Sequence, residues 1–241
     1  MNEVFSIDIE TSNGRPEDQE ADVRRAVSEQ LRIDSRWKDE TATVRIRERI
    51  AKTTEKLALM DSAPIAAVGF ATPQQTFVFH GVRPEPVRML PEGVAVQGFG
   101  TERDLLLAAR AWLDSPTYTL PESVVVGHNI KHFDLPKLRG RYAVQKLKLP
   151  RCLADPNQAT FDTLKEFWRR FTVDAGDVMV SLAEVCERFG IQHHKQTIEG
   201  SQIPELIAAG QVEILVRYLA LDVQTELRLA RVMQGEGDGF D

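Results

Sequence analysis

The sequence lacks several features that would assign it to a common class of protein. Only two of its 241 residues are cysteines, Cys152 and Cys186, which is too few for a disulfide framework and does not match paired zinc ligands. We therefore expect both to be small buried apolar residues in a protein of the reducing cytoplasm. No apolar run reaches the length of a membrane span, and the first residues do not resemble a signal peptide. The sequence thus predicts no membrane partner.

An overall excess of positive charge, which many nucleic-acid-binding proteins show, is also missing, because the net charge is −6. The charge is nevertheless uneven. Residues 131–151, "KHFDLPKLRGRYAVQKLKLPR", contain seven lysines or arginines and a single acid. This stretch is either a solvated helix face or a surface that follows the phosphates of a nucleic acid.

The hydrophobic pattern predicts a mixed sheet flanked by helices in one domain, residues 1–234. Strands are expected at the N-terminus, at 62–71 and 75–81 as an antiparallel hairpin, and at 122–129 in the centre of the sheet. Helices are expected at 101–115 with Thr101 as the N-cap, from Asp134 to about 147 with Pro136 in the first turn, and at 161–171, 180–190 and 204–234. Residues 12–62 form a charged, mostly helical insertion between the first two strands, and 235–241 form a flexible tail.

The first strand, "FSIDIET", carries Asp8 and Glu10 on one face and apolar residues on the other, because side chains alternate along a strand. Two carboxylates held side by side repel each other and raise each other's pKa unless a cation lies between them. The strand is therefore either an edge strand with one solvated face or part of a metal site.

Two further acids follow in comparable positions. Asp134 comes just after the predicted central strand, at the start of a helix, where open α/β sheets bind ligands; the alternative is a helix-capping acid. Asp222 lies on the last long helix, beside its apolar stripe and four residues after Tyr218, so the two stack on one face. Either the tyrosine hydroxyl or a metal ion would satisfy Asp222.

The order of these motifs resembles the DEDD superfamily of 3′→5′ exonucleases. Asp-x-Glu on the first strand, Asn-x-x-x-Phe-Asp after a later strand and Tyr-x-x-x-Asp on the final helix follow its pattern, and "DLPKLRGRY" is similar to exonuclease domains related to family-B DNA polymerases. The resemblance implies an RNase H-like fold with a mixed five-stranded sheet. Tyr218, with Arg217 before it, resembles the tyrosine branch, which needs no histidine base. We therefore expect the following histidines to be surface or loop residues: His128, His132, His193 and His194.

The resemblance implies a metal-dependent exonuclease that removes nucleotides from the 3′ end of single-stranded or frayed DNA. Asp8, Glu10, Asp134 and Asp222 would hold two Mg²⁺ or Mn²⁺ ions, because oxygen-only ligands favour hard cations. Tyr218 would orient the attacking water, since a phenol with a pKa of about 10 is a poor base at neutral pH. DNA is favoured over RNA only slightly.

The same resemblance implies contacts to the nucleic acid from Thr11, Asn129 and Phe133, with Phe133 stacking on a base. The basic stretch after Asp134, including Lys137, Arg139 and Arg141, would form a wall that binds the strand. The insertion, 12–62, would clamp the nucleic acid, bind a protein partner or decorate the sheet edge. Three alternatives remain open: an exoribonuclease, a catalytically idle RNase H-like binding module, and an unrelated α/β protein whose acids are all structural.

Overall fold

The computed structural model describes residues 4–13, 63–171, 179–192, 198 and 200–236. The chain divides into two compact units, Met1–Glu10 with Ile65–Asp241, and Thr11–Pro64. The bounds of the second unit are close to those of the predicted insertion, 12–62. Most of that segment lies outside the described residues, as do five residues of the predicted tail, 237–241, so both assignments stay predictions.

Five strands come first in the larger unit, and the helices follow with two further strands among them. The strands are β1 (Val4–Thr11), β2 (Ile65–Ala71), β3 (Thr76–His80), β4 (Glu85–Met89), β5 (Val94–Gly98), β6 (Val124–Gly127) and β7 (Thr160–Asp162). The helices are α1 (Glu102–Leu113), α2 (Asp134–Val144), α3 (Arg151–Ala154), α4 (Thr163–Phe171), α5 (Leu182–Arg188), α6 (Ile203–Ala208) and α7 (Val212–Met233), and a 3₁₀ turn (Gly200–Gln202) precedes α6. None of the described helices is long and apolar enough to cross a membrane.

The strands form one mixed sheet in the order β4-β5-β3-β2-β1-β6-β7. β1 and β6 are parallel, as are β6 and β7, whereas β2 and β3 form the predicted antiparallel hairpin. The mixed α/β class is thus confirmed, but the described residues give seven strands and not five. β4 begins Glu-Pro, its side chains are largely exposed and it lies at the sheet edge, so it lacks an apolar pattern; β7 has only three residues.

The helices follow the sequence closely, except that the short α3 was not predicted and one predicted helix is divided in two. Thr101 caps α1, because its side chain accepts a hydrogen bond from the Asp104 amide, and α2 begins at Asp134 with Pro136 in its first turn. The single helix predicted over 204–234 is instead two, α6 and α7. Gly210 separates them with a φ of +67°, a left-handed conformation that favours glycine and ends a helix.

Helices cover both faces of the sheet, and the two faces of β1 contact different helices. Phe5, Ile7 and Ile9 are buried in a core that includes α1 residues. On the opposite face, the Ser6 hydroxyl donates a hydrogen bond of 2.6 Å to the carbonyl oxygen of Val223 in α7. The polar face of β1 therefore lies beneath the last long helix.

Candidate metal centre

Strand β1 carries its two acids into the interior of the fold. β1 lies between β2 and β6 in the sheet, so the alternative of a solvated edge strand is wrong. Asp8 and Glu10 are half-buried and share a face with Ser6, which is fully buried against α7. The side chains of the strand thus meet the residues of α7 directly.

The carboxylates of β1 meet Asp222 from α7. Asp8, Glu10 and Asp222 each present an oxygen atom, and these oxygens all lie within 4.8 Å of one another. The three side chains are half-buried, so the cluster retains access to solvent. Three carboxylate oxygens at this separation form a ligand set for a hard divalent cation.

Asp134 joins the cluster from the start of α2. It is buried, and its Oδ1 accepts a hydrogen bond of 3.2 Å from the backbone amide of Ile9, the residue between Asp8 and Glu10. Its carboxyl group also forms a hydrogen bond with Asp8. Asp134 thus lies in the first turn of α2, as expected of a helix-capping acid, but its side chain also accepts a hydrogen bond from strand β1. The structure brings all four predicted carboxylates together.

The cluster is electrostatically unfavourable without a cation. Burial, followed by the charge of nearby acids, raises the pKa of both Asp8 and Glu10 well above the usual range. Burial also raises the pKa of Asp134 to about 7, against the lowering effect of its hydrogen bonds. Each carboxylate would regain its ordinary ionisation if positive charge were placed among them, which is the property expected of a metal centre.

Tyr218 lies one turn before Asp222 on α7 and is half-buried. Burial first, then the charges of Asp222, Glu10 and Asp8, raise the pKa of its hydroxyl above the ordinary value, and the hydroxyl bonds to Asp222. A Cβ placed on Gly200 would lie 3.6 Å from the same oxygen, so the 3₁₀ turn borders it. The phenol is therefore a protonated hydrogen-bond donor at neutral pH.

Glu226 is a fifth carboxylate that the sequence analysis missed. It lies one turn after Asp222 on the same helix, is 3% exposed, and accepts a 2.9 Å hydrogen bond from the backbone amide of His128. Its spacing along the sequence could have identified it, because Tyr218, Asp222 and Glu226 follow one another at intervals of four residues and therefore share a helix face.

Asp162, at the end of β7, was also missed, but its role is structural. Its carboxylate accepts backbone hydrogen bonds from Asn129, Lys131 and Lys165 at 3.1–3.3 Å. Asn129 has a φ of +62°, a conformation that asparagine tolerates better than most residues. The Asp162 bonds therefore hold the loop between β6 and α2, and with it the start of Asp134's helix.

His128 is a loop residue, as expected, because it follows the last residue of β6, but it is not on the surface. It is half-buried, with Nδ1 2.9 Å from the Thr163 hydroxyl and Nε2 2.8 Å from the Val180 carbonyl oxygen. Burial lowers its pKa, so the neutral ring donates from Nε2 and accepts at Nδ1. His132 is exposed as expected, and His193 and His194 lie outside the described residues.

The predicted nucleic-acid contacts divide into two groups. Arg141 is buried and its guanidinium binds the Glu102 carboxylate through bonds of 2.6 and 2.8 Å, so it is a structural ion pair and a poor phosphate ligand. Lys137 is also buried, and the Nε of Arg139 donates to the Leu153 carbonyl oxygen at 2.9 Å. The exposed cations of the stretch are others: Lys131, Lys146, Lys148 and Arg151.

Phe133, directly before α2, is half-buried and packs against the core around Phe5. Asn129 lies in the same loop, and Thr11 is the last residue of β1 and is buried. Their predicted contacts to a nucleotide stay predictions.

A cavity of about 960 Å³ lies elsewhere and is not lined by any of the four carboxylates of the cluster. It is bordered by Gln224, Arg228 and Arg231, which lie on the face of α7 opposite Asp222 at 100° per residue. Size alone therefore does not identify the reactive region, and the acidic cluster is the stronger candidate.

Comparison of the sequence with protein-family models and with curated proteins gives no match. The functional argument therefore rests on the residues of the cluster and their geometry.

Proposed function

We propose that the protein is a metal-dependent 3′→5′ exonuclease with an RNase H-like fold, which removes nucleotides from the 3′ end of single-stranded or frayed DNA. One observation carries the proposal: Asp8, Glu10 and Asp222, from the first strand and the last long helix, present oxygens within 4.8 Å of one another. Together with Asp134 beside them, these are the acids that the sequence motifs singled out.

The residues fit a pair of Mg²⁺ or Mn²⁺ ions. The donors are all carboxylate oxygens, which suit hard cations. Burial raises the pKa of Asp8, Glu10 and Asp134, and repulsion between acids of the cluster raises the pKa of Asp8 and Glu10 further. When bound, two such ions would supply positive charge that stabilises the attacking and leaving oxygens during phosphodiester hydrolysis. Asp8, Glu10, Asp134 and Asp222 would hold them.

The remaining groups of the site would position the reactants. The Tyr218 hydroxyl, kept protonated by the surrounding carboxylates, would donate a hydrogen bond to the attacking water and orient it towards the phosphate. It would not remove the proton, because its pKa is too high for a base at neutral pH. The exposed cations near α2, Lys131, Lys146 and Lys148, would attract the phosphates of the strand.

Two other assignments are tested by the same assay. An exoribonuclease would use the same site on RNA, and an idle RNase H-like module would bind nucleic acid or protein without cleaving it. A protein partner of the 12–62 insertion is part of this proposal. So is a cytoplasmic location, which the two buried free cysteines fit.

The test is a gel time course on 5′-labelled single-stranded DNA and RNA of one sequence, with Mg²⁺, Mn²⁺ or EDTA. The expected result is a metal-dependent ladder that shortens one nucleotide at a time and is absent with Asp8→Asn. Asp155→Asn, at an exposed turn after α3, is the matched control and should cleave like the unmodified chain. Binding of either strand without cleavage, with both metals, would instead favour the idle module.

A further inference from the structure

Glu226 is buried in a way that leaves one of its oxygens without a partner. Its Oε1 accepts the His128 amide hydrogen at 2.9 Å, whereas Oε2 is buried and has no hydrogen-bond partner among the described residues. A buried acceptor in that state costs about 1–3 kcal/mol. A native fold retains such an atom when something outside the polypeptide satisfies it.

Glu226 is buried close to several other acids. Burial raises its pKa well above the usual range, and the charges of Asp134, Asp222 and Asp162 raise it further against the lowering effect of the His128 amide bond. In turn, Glu226 is the neighbouring charge with the strongest effect on Asp8, ahead of the other acids of the cluster. Glu226 therefore lies beside Asp8 and Asp134.

A cation explains this arrangement better than a water molecule does. A water would satisfy Oε2 by donating one hydrogen bond but would leave the surrounding negative charge uncompensated. A divalent cation would bind Oε2 and also neutralise the carboxylates next to it. The His128 amide fixes Oε1, so the orientation of Oε2 is set before any cation binds.

We propose that Glu226 is a fifth carboxylate ligand of the metal centre, and that its Oε2 helps to hold the second of the two divalent cations. This inference rests on the proposed function, from which it takes the two-cation centre. In this assignment α7 supplies two ligands one turn apart. Asp222 acts together with Asp8 and Glu10 of β1, and Glu226 lies on the more buried side.

The experiment is calorimetric titration of the metal-free full chain with Mn²⁺, comparing the unmodified protein, Glu226→Gln and Glu213→Gln. Glutamine keeps the shape of the side chain and an acceptor for the His128 amide. Glu213 is on the same helix, more than two turns away from Asp222, and is exposed, so its substitution controls for the loss of one charge. We expect two Mn²⁺ ions on the unmodified chain and on Glu213→Gln, and at least tenfold weaker binding of one ion by Glu226→Gln.

Thermal unfolding in EDTA provides the second readout. Glu226→Gln should be at least as stable as the unmodified chain without metal, because a buried carboxylate has been removed, and should gain less stability from Mn²⁺. Binding of both ions by Glu226→Gln within twofold of the unmodified affinity overturns the proposal. If the glutamine variant does not fold, Glu226→Asp keeps the charge but shortens the side chain; unchanged Mn²⁺ binding by that variant overturns the proposal equally.

The two proposals can fail separately. If the unmodified chain binds two Mn²⁺ ions and Glu226→Gln weakens one, but no strand is shortened, the exonuclease fails and the ligand assignment stands. If nucleic-acid strands are shortened while Glu226→Gln binds both ions normally, the exonuclease stands and the ligand assignment fails. An unmodified chain that binds no Mn²⁺ overturns both.

Discussion

Replacing Asp134 by asparagine should make the metal-free protein more stable at neutral and alkaline pH. Burial raises the pKa of this carboxyl from an ordinary value of 3.8 to about 7, so the folded state holds its proton where the unfolded state has lost it. Folding therefore binds a proton between pH 4 and 7, and stability falls as the pH rises through that range. Asparagine has nearly the same shape, keeps an acceptor for the Ile9 amide and carries no charge.

The size of the effect follows from the two pKa values. Each tenfold difference in proton affinity corresponds to about 1.4 kcal/mol, so the ionised carboxylate costs the folded state roughly 4 kcal/mol above pH 7. Most of that cost disappears by pH 4, where the folded carboxyl is protonated and the unfolded carboxyl, with its pKa of 3.8, is partly protonated. For a chain of this size, roughly 4 kcal/mol corresponds to a rise in Tm on the order of 10 °C.

The assay is urea unfolding in EDTA at pH 4, 6 and 8, with Glu187→Gln as the control because Glu187 is exposed on α5. The stability difference between Asp134→Asn and the unmodified chain should grow with pH, whereas the control should show no such trend. Adding Mn²⁺ should reduce or reverse the difference, since the variant loses a ligand. A difference that is independent of pH, or a less stable variant at pH 8, would refute the reasoning.

Three other substitutions test separate parts of the structure. Gly69→Ala would place a Cβ 2.8 Å from the Leu219 side chain of α7, so we expect urea unfolding to show a loss of about 1–3 kcal/mol. Arg141→Met removes the cation that pairs with the largely buried Glu102 carboxylate, which should cost roughly 3–5 kcal/mol; the double variant with Glu102→Gln should recover part of it. Tyr218→Phe should slow strand shortening by roughly 100-fold while calorimetry shows unchanged Mn²⁺ affinity; an unchanged rate would remove the hydroxyl from the mechanism.

The sequence predicted those parts of the fold that local patterns determine. The alternation of Phe5, Ile7 and Ile9 with polar residues identified β1 and its buried face, and Thr101 marked the start of α1. The acids were found because each lies in a short motif whose order along the chain carries information. β4 was missed because it is exposed, and β7 because it has only three residues, so their stability comes from pairing with neighbours and not from a hydrophobic period. β5 was missed although it is mostly buried and as long as β3.

The roles of the charged side chains could not be predicted in the same way. Arg141 and Lys131 belong to one basic stretch, yet Arg141 is buried against Glu102 and Lys131 is exposed. The spacing of Glu226, four residues after Asp222, places it on the same helix face, but the sequence does not show that it is buried. Whether a charge is buried depends on which element packs over it, and that is a property of the tertiary fold.

The hydrogen bond between Ser6 and Val223 joins residues 217 positions apart in the chain, and it lies beside the pair Asp8 and Asp222. Contacts of such long sequence separation require most of the chain to be ordered first, so they are expected to form late in folding. The proposed cation-binding cluster would then be incomplete in the folding transition state. A cation that binds only the complete cluster stabilises the native state but not the transition state. It therefore slows unfolding and leaves the rate of folding nearly unchanged.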